Sequence, residues 1–449
     1  MKRGKRAFRR VGLVLLVMFT LGLVVVGPQV VPTYATDDLL FANTKDPVGV
    51  AAGFDPGGTK PRIYVTPCRN PRRIVFIEAD GSVRRFHSLP NRSGDCARDD
   101  IEVAPGGKLE AFGDNNVYVT QGNKIYKITP DGRTRTDFAT LTEAGVTCTD
   151  ASSDITFDDI STPGDPNGFN NDMVATCGSR VWRINAGGAV TLVATFLFAV
   201  QGPAVAPKSF APAPGQVLVA APGSDEVWAV EPVPGGSPEL IATWPGAKGV
   251  HVVPPNVCSI GTVSQTDAER GTFFIARTAR DQIRKLPKTV FTTYEGRILV
   301  TNNGQFSNAT KIGIVPPSGT LPLVTADFHI LNFAQDQGSA EFCPRLRVKI
   351  FIKPGSFRKY EPESNGKIPV VIFGTDAVDV TKIDPTTLRF GDTGNEASWS
   401  HCDNSSQDIN GDGFLDLKCH FTFALTELDP SDTQSILTGI VNPPFEGRD

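Results

Sequence analysis

The chain has 449 residues, with 44 Lys plus Arg against 48 Asp plus Glu and a formal net charge of −4. It therefore lacks the basic excess that a dedicated nucleic-acid binder needs to neutralise phosphates. Gly and Pro make up about 18 per cent of the residues, turn-rich but below the roughly 25 to 30 per cent that argues for disorder, and the length allows two or three domains.

In chain order, Lys2, Arg3, Lys5, Arg6, Arg9 and Arg10 precede an apolar run from Val11 to Val26, and Thr33 and Ala35 put small residues where a signal peptidase reads. This is the three-part layout of a secretory signal over residues 1–35. It sets the expectation of a secreted, periplasmic or cell-surface protein. The apolar run of 16 residues falls short of the about 20 needed to span a bilayer. A membrane is expected as a partner only if the segment stays uncleaved. The Arg9–Arg10 pair hints at a twin-arginine signal, but its flanking residues match poorly. Without residues 1–35 the chain carries 38 basic and 48 acidic groups, a net of −10.

All eight cysteines, Cys68, Cys96, Cys148, Cys177, Cys258, Cys343, Cys402 and Cys419, follow this segment. An even number in an exported chain reads as disulfides before metal thiolates, and the absence of a CxxC pair weakens zinc further. Connectivity stays open. Proximity suggests Cys68–Cys96, Cys148–Cys177 and Cys402–Cys419, which leaves Cys258 for Cys343.

Four segments share a β-branched first residue, an apolar fourth and a Gly eighth: IVFIEADG (74–81), IYKITPDG (125–132), VWRINAGG (181–188) and IGIVPPSG (312–319). VWAVEPVPGG (227–236) and IRKLPK (283–288) are looser copies. A second apolar run precedes each: IYVT (63–66), VYVT (117–120), MVAT (173–176), VLVA (217–220), FFIA (273–276) and ILVT (298–301). A third run follows four of them, and VGVAAGF (48–54), IEVAP (101–105), ITFDDI (155–160) and GVHVVPP (249–255) offer one more strand ahead. Four antiparallel strands repeated at intervals of 51, 56, 46 and 56 residues predict a β-propeller. The last interval, 29 residues, is too short for a blade. Six blades with the fifth degraded are expected, and five or seven stay open. A two-sheet sandwich of the same strands would not need the repeated order.

At ITPDG and its counterparts the chain resembles the NHL, gluconolactonase-like and streptogramin-lyase-like propeller superfamily, where such a strand ending followed by an outer strand closes a blade. The resemblance covers roughly residues 45–328 and implies the fold, not an activity. The acidic and amide residues that gluconolactonase-like enzymes bring to their metal have no counterparts at matching places. The aromatic–acidic strand ends of streptogramin lyases are also missing. If the channel is nonetheless catalytic, Glu102, Asp158, Asp159 and His251 are the side chains expected to meet there, holding a divalent cation or doing acid–base work. The plainer expectation places them at strand ends facing water. GxSxG and HExxH do not occur, and five histidines leave few candidates for metal or triad chemistry.

From about Arg347 the periodicity changes. VKIFI (348–352), IPVVIF (368–373), TLRF (387–390) and CHFTF (419–423) predict a separate small β-sandwich. Its most informative segment is DINGDGFLD (408–416). Asp408, Asn410 and Asp412 take the first, third and fifth places of an EF-hand-type loop, Gly413 permits the sharp turn, Phe414 offers a carbonyl and Asp416 takes the ninth place. Cys419 stands where a bidentate Glu would close the loop, so an abbreviated site for structural Ca²⁺ is expected. An Asx-rich turn without an ion is the plainer reading. IKPGS (352–356), IPVVIFGTDAVDVTKIDPTTLRFG (368–391), DINGDGFLDL and SDTQSILTG (431–439) resemble a C-terminal module recurrent in secreted proteins of environmental bacteria, which implies an accessory or attachment role. Ser431 stands where that pattern often has Gly.

The expected fold class is therefore all-β: an about six-bladed β-propeller over 45–328, a connector at 329–346, and a β-sandwich with an EF-hand-like calcium loop over 347–449. The expected function is a secreted, calcium-stabilised binding protein with a protein or glycan ligand at the propeller face. The alternative is an exported propeller enzyme, a lactonase-type hydrolase or lyase with a divalent metal in the channel. A purely structural envelope protein is the third possibility.

Overall fold

The computed structural model describes residues 39–441 apart from 59, 92–98, 106–110, 151, 159–167, 255–259, 261–264, 266–268, 303–310, 317–320, 324–328, 333–339, 344–347, 349, 353–365, 375–377, 393, 395 and 430–434. The described residues contain no α-helix. None of them forms a helix long and apolar enough to cross a membrane, and the expected signal lies outside the described residues.

The chain is all-β, and its larger part is a propeller. Four four-stranded antiparallel sheets follow in chain order, each built from the inside outward. They are Pro47–Phe54, Pro61–Pro67, Arg73–Ile77 and Val83–Ser88; Ile101–Val103, Val117–Gln121, Lys124–Ile128 and Arg135–Thr140; Ser153–Phe157, Met173–Cys177, Arg180–Ile184 and Val190–Thr195; and Gln201–Val205, Val217–Ala221, Glu226–Val230 and Glu239–Thr243. The inner strand at 201–205 escapes the sequence pattern because Gly202 and Pro203 break its alternation. In the third sheet the inner strand ends at Phe157 rather than running on to residue 160.

The last two sheets are interleaved, and this corrects the expected order. Ala247–Val252 pairs not with the hairpin that follows it but with Ile298–Asn302, continued by Lys311–Val315 and His329–Asn332. The intervening hairpin, Phe273–Arg277 and Gln282–Leu286, belongs to a further sheet, completed by Ala340–Phe342 on one side and Leu39–Asn43 on the other. The expected connector at 329–346 thus contributes two propeller strands. The reason is burial on both faces of the hairpin. Phe273 and Ile275 pack with Phe291 of the turn that follows the hairpin and with Leu299 and Ile312 of the preceding sheet, while Phe274 and Ala276 pack with Phe41, Val50 and Ile63 toward the first. Period-two alternation lets one hairpin serve two cores. Similar cores fill the other gaps, from Tyr64 against Val117 to Trp244 against Val300. Fully burying a large apolar side chain contributes roughly 1.5–3 kcal/mol.

Polar ties reinforce the gaps. The Thr66 hydroxyl accepts from Gly49 N (3.0 Å) within the first sheet and donates to Asp99 O (2.6 Å) in the second. Thr120 repeats this between the second and third, accepting from Asp100 N (2.8 Å) and donating to Ser153 O (2.7 Å). A side chain at Gly49 would meet Thr66 Oγ1 at 2.4 Å and Asp99 O at 2.6 Å, so the backbone approach needs glycine there. The carboxylate of Asp99, fully buried, pairs with buried Arg72.

In the carboxy-terminal part, Ile350–Ile352, Lys367–Ile372, Leu417–Thr422 and Trp399–Cys402 form one sheet, and Ile383–Gly391 pairs with Ile436–Val441 in another. Val370, Ile372 and Phe421 of the first face Ile383, Leu388 and Phe390 of the second, with the Phe390 and Phe421 rings 4.9 Å apart. Two disulfides join described residues, Cys148–Cys177 and Cys402–Cys419. Cys68 and Cys343 are each disulfide-bonded as well, but not within a pair of described residues. Cys96 and Cys258, and with them the other two expected pairings, lie outside the described residues.

Candidate functional site

The inner strands surround a central cavity of about 190 Å³. Two sequence candidates, Glu102 and His251, line it, together with Asp100, Asp154 and Glu341, which the sequence reading passed over. The cavity is smaller than the roughly 300–1,000 Å³ of a small-molecule site.

Two of these acids are committed to the ring itself. Asp100 Oδ2 accepts from Ile155 N (2.9 Å), tying the second sheet to the third. Asp154 Oδ2 accepts from Gly202 N (2.8 Å), tying the third to the fourth. Gly202 has φ +56°, and a Cβ there would lie 2.5 Å from Gly249 Cα, so the next inner strand crosses it closely. The signal for this pair was present: Asp-Ile-x-[Val/Phe] opens two successive inner strands, at Asp100 and Asp154. It was missed because the strand count began at the isoleucine.

Glu341 Oε1 accepts from Phe342 N (2.8 Å). The His251 ring packs edge-on to Phe273 with centroids 5.5 Å apart. Asp158 does not line the cavity. It is buried at a corner, where its carboxylate accepts from Asn171 N (3.3 Å) and its own N–H donates to Asp172 O (3.0 Å). Asp172 is bound by Arg183 Nε at 2.6 Å. Burial holds the Asp172 carboxyl above the usual range, against the pull of Arg183. Asp159 lies outside the described residues. Among the described residues, the acids and histidine of the cavity do not bring three ligand atoms within reach of one ion.

The second candidate is the 408–416 loop. It closes where Gln407 and Asp416 exchange backbone hydrogen bonds (3.0 and 2.8 Å), and Gly411 and Gly413 take φ +79° and +92°. Asp408 accepts from the N–H groups of Gly411 (2.6 Å) and Gly413 (2.9 Å). Asp412 accepts from Phe414 N (3.0 Å) and from the Asn410 amide (2.8 Å). Asp416, nearly fully buried, accepts from Ile409 N (2.8 Å) and Gly374 N (2.9 Å). Asp408, Asn410 and Asp412 are exposed. An all-oxygen donor set at this spacing fits a hard cation such as Ca²⁺. Cys419 at the twelfth place is bonded to Cys402 and offers no bidentate carboxylate.

No protein-family model matches the chain, and no curated protein matches it. Among solved structures it is similar to a streptogramin B lyase, at 13% identity and TM-score 0.33, covering 75% of this chain and 82% of that one. A gluconolactonase from Xanthomonas campestris is similar at 14% identity and TM-score 0.34, covering 62% and 86%. The WD40 propeller domain of Doa1 is similar at 12% identity and TM-score 0.32, covering 75% and 83%. Likenesses at this level transfer no activity.

Proposed function

We propose that the chain is a secreted, calcium-stabilised propeller that binds a protein or glycan partner through a loop face, with the carboxy-terminal sandwich as spacer or attachment unit. The observation that carries this reading is the use made of Asp100 and Asp154. These two of the cavity's acids each commit a carboxylate oxygen to a backbone N–H of the next sheet, so they serve to stabilise the ring. Export is supported by the disulfides, which persist in oxidising compartments, and calcium by the oxygen donors of the 408–416 loop.

Chelation is expected to lower the melting temperature, Asp412→Asn to abolish that response, and a panel of lactones and esters to show no turnover. One observation favours a second reading, an exported lactonase-type hydrolase or lyase: Glu102, Glu341 and His251 line one cavity. Turnover that is lost in Glu102→Gln or His251→Ala, with the melting temperature unchanged, would replace the first reading with the second.

A further inference from the structure

A different cluster lies on the outer face of the carboxy-terminal sheet. Trp399–Cys402 and Leu417–Thr422 are antiparallel neighbours in which His401 faces His420 and Cys402 faces Cys419. Side chains alternate along a strand. Cys419 is fully buried in the sandwich core, so the two imidazoles stand on the opposite face. Asp403, two residues beyond His401, joins them there. The disulfide holds the strands together with Cα atoms 3.8 Å apart, and the imidazoles stack with centroids 4.5 Å apart and planes 4° from parallel.

The donors converge. His420 Nε2 lies 3.2 Å from Asp403 Oδ1, and one ligand atom from each of the three residues lies within 4.8 Å of the others. Metal–ligand bonds of about 2.0–2.2 Å at tetrahedral angles put two donors roughly 3.3 Å apart. The His420–Asp403 pair already has that spacing, and rotation of the exposed His401 side chain closes the rest. Outer partners are in place too. Ser400 Oγ lies 3.2 Å from His401 Nδ1, which leaves Nε2 to ligate, and Lys418 Nζ holds the other Asp403 oxygen at 3.1 Å. Such second contacts orient ligands.

We propose that His401, Asp403 and His420 form a zinc site, with water in an exposed fourth position. Two imidazoles and a carboxylate suit Zn²⁺, whereas Ca²⁺ takes oxygen donors alone. The site is therefore chemically separate from the 408–416 loop. The ion would crosslink the edge strand 399–402 to its neighbour and keep one coordination place open to an acidic or thiol group from outside.

The test uses the untagged full chain, stripped with chelator and titrated with Zn²⁺ by calorimetry. One equivalent bound with Kd on the order of 10 µM or tighter is expected. His401→Gln and His420→Gln should each weaken binding by about tenfold or more, and Asp412→Asn, in the calcium loop, should leave it unchanged. Co²⁺ is expected to give visible absorption bands that His420→Gln abolishes. Metal-free melting temperatures equal to wild type establish that each variant is folded. Weaker wild-type binding, or an affinity unaltered in both folded histidine variants, would overturn the site.

Discussion

Thr66 and Thr120 stand next to last in the second strands of their sheets, and each hydroxyl satisfies one N–H at the inner strand of its own sheet and one C=O at that of the next. Thr66→Val or Thr120→Val leaves both backbone groups without that partner, at an expected cost of about 1–3 kcal/mol in denaturant unfolding; Thr→Ser keeps the bonds and should recover most of it. The threonine was visible in the sequence as the last letter of IYVT and VYVT. Its two partners were not, since one lies 33 residues away in another sheet. Aspartates of the EADG and TPDG turns act locally. Hydrogen bonds from Ser82 hold the Asp80 carboxyl below the usual range, as those from Thr129 and Arg133 do for Asp131. A depressed acid contributes stability above its unfolded pKa and loses it as pH falls through the folded pKa. Asp80→Asn combined with Asp131→Asn should therefore give a shallower loss of stability in acid than wild type, read from unfolding midpoints between neutral pH and the acid range.

Strands with strict alternation and a glycine turn were legible, and the first four sheets match them except at the inner strand Gln201–Val205. The sheets that were misread are those where adjacency in sequence departs from adjacency in space. Nothing in FFIA distinguishes a hairpin that continues a sheet from one that opens another; the decision rests on Phe273 and Phe274 finding different neighbours. Phe41, on the outer strand of that sheet, packs its ring against that of Phe274, tilted by 60° with centroids 4.9 Å apart. Phe41→Ala is expected to cost about 3–5 kcal/mol and to make Leu39–Asn43 more susceptible to limited proteolysis than any interior strand. At the cavity, the acids were legible as residue types but not as ring ties, because a carboxylate accepting a backbone N–H looks in sequence like one awaiting a ligand.

For the whole molecule, one covalent constraint acts on the 408–416 loop, and the proposed ion would be a second. The Cys402–Cys419 bridge, with sequence separation 17, contributes roughly 3 kcal/mol in the chain-entropy model. Millimolar Ca²⁺ at a site of extracellular strength would add about 1 kcal/mol through mass action. Calorimetry should thus find a small upward shift of the melting temperature with calcium, and reduction of the bridge should lower it further than chelation does. The interleaved sheet has a consequence in time. Leu39–Asn43 pairs with Gln282–Leu286, and the sheet is complete only when Ala340–Phe342 arrives. At roughly 5–20 residues per second of synthesis, the first strand waits roughly 15–60 s for the last. Through that interval the nascent chain carries an open ring, and whatever receives it must keep a solitary strand from finding a foreign edge.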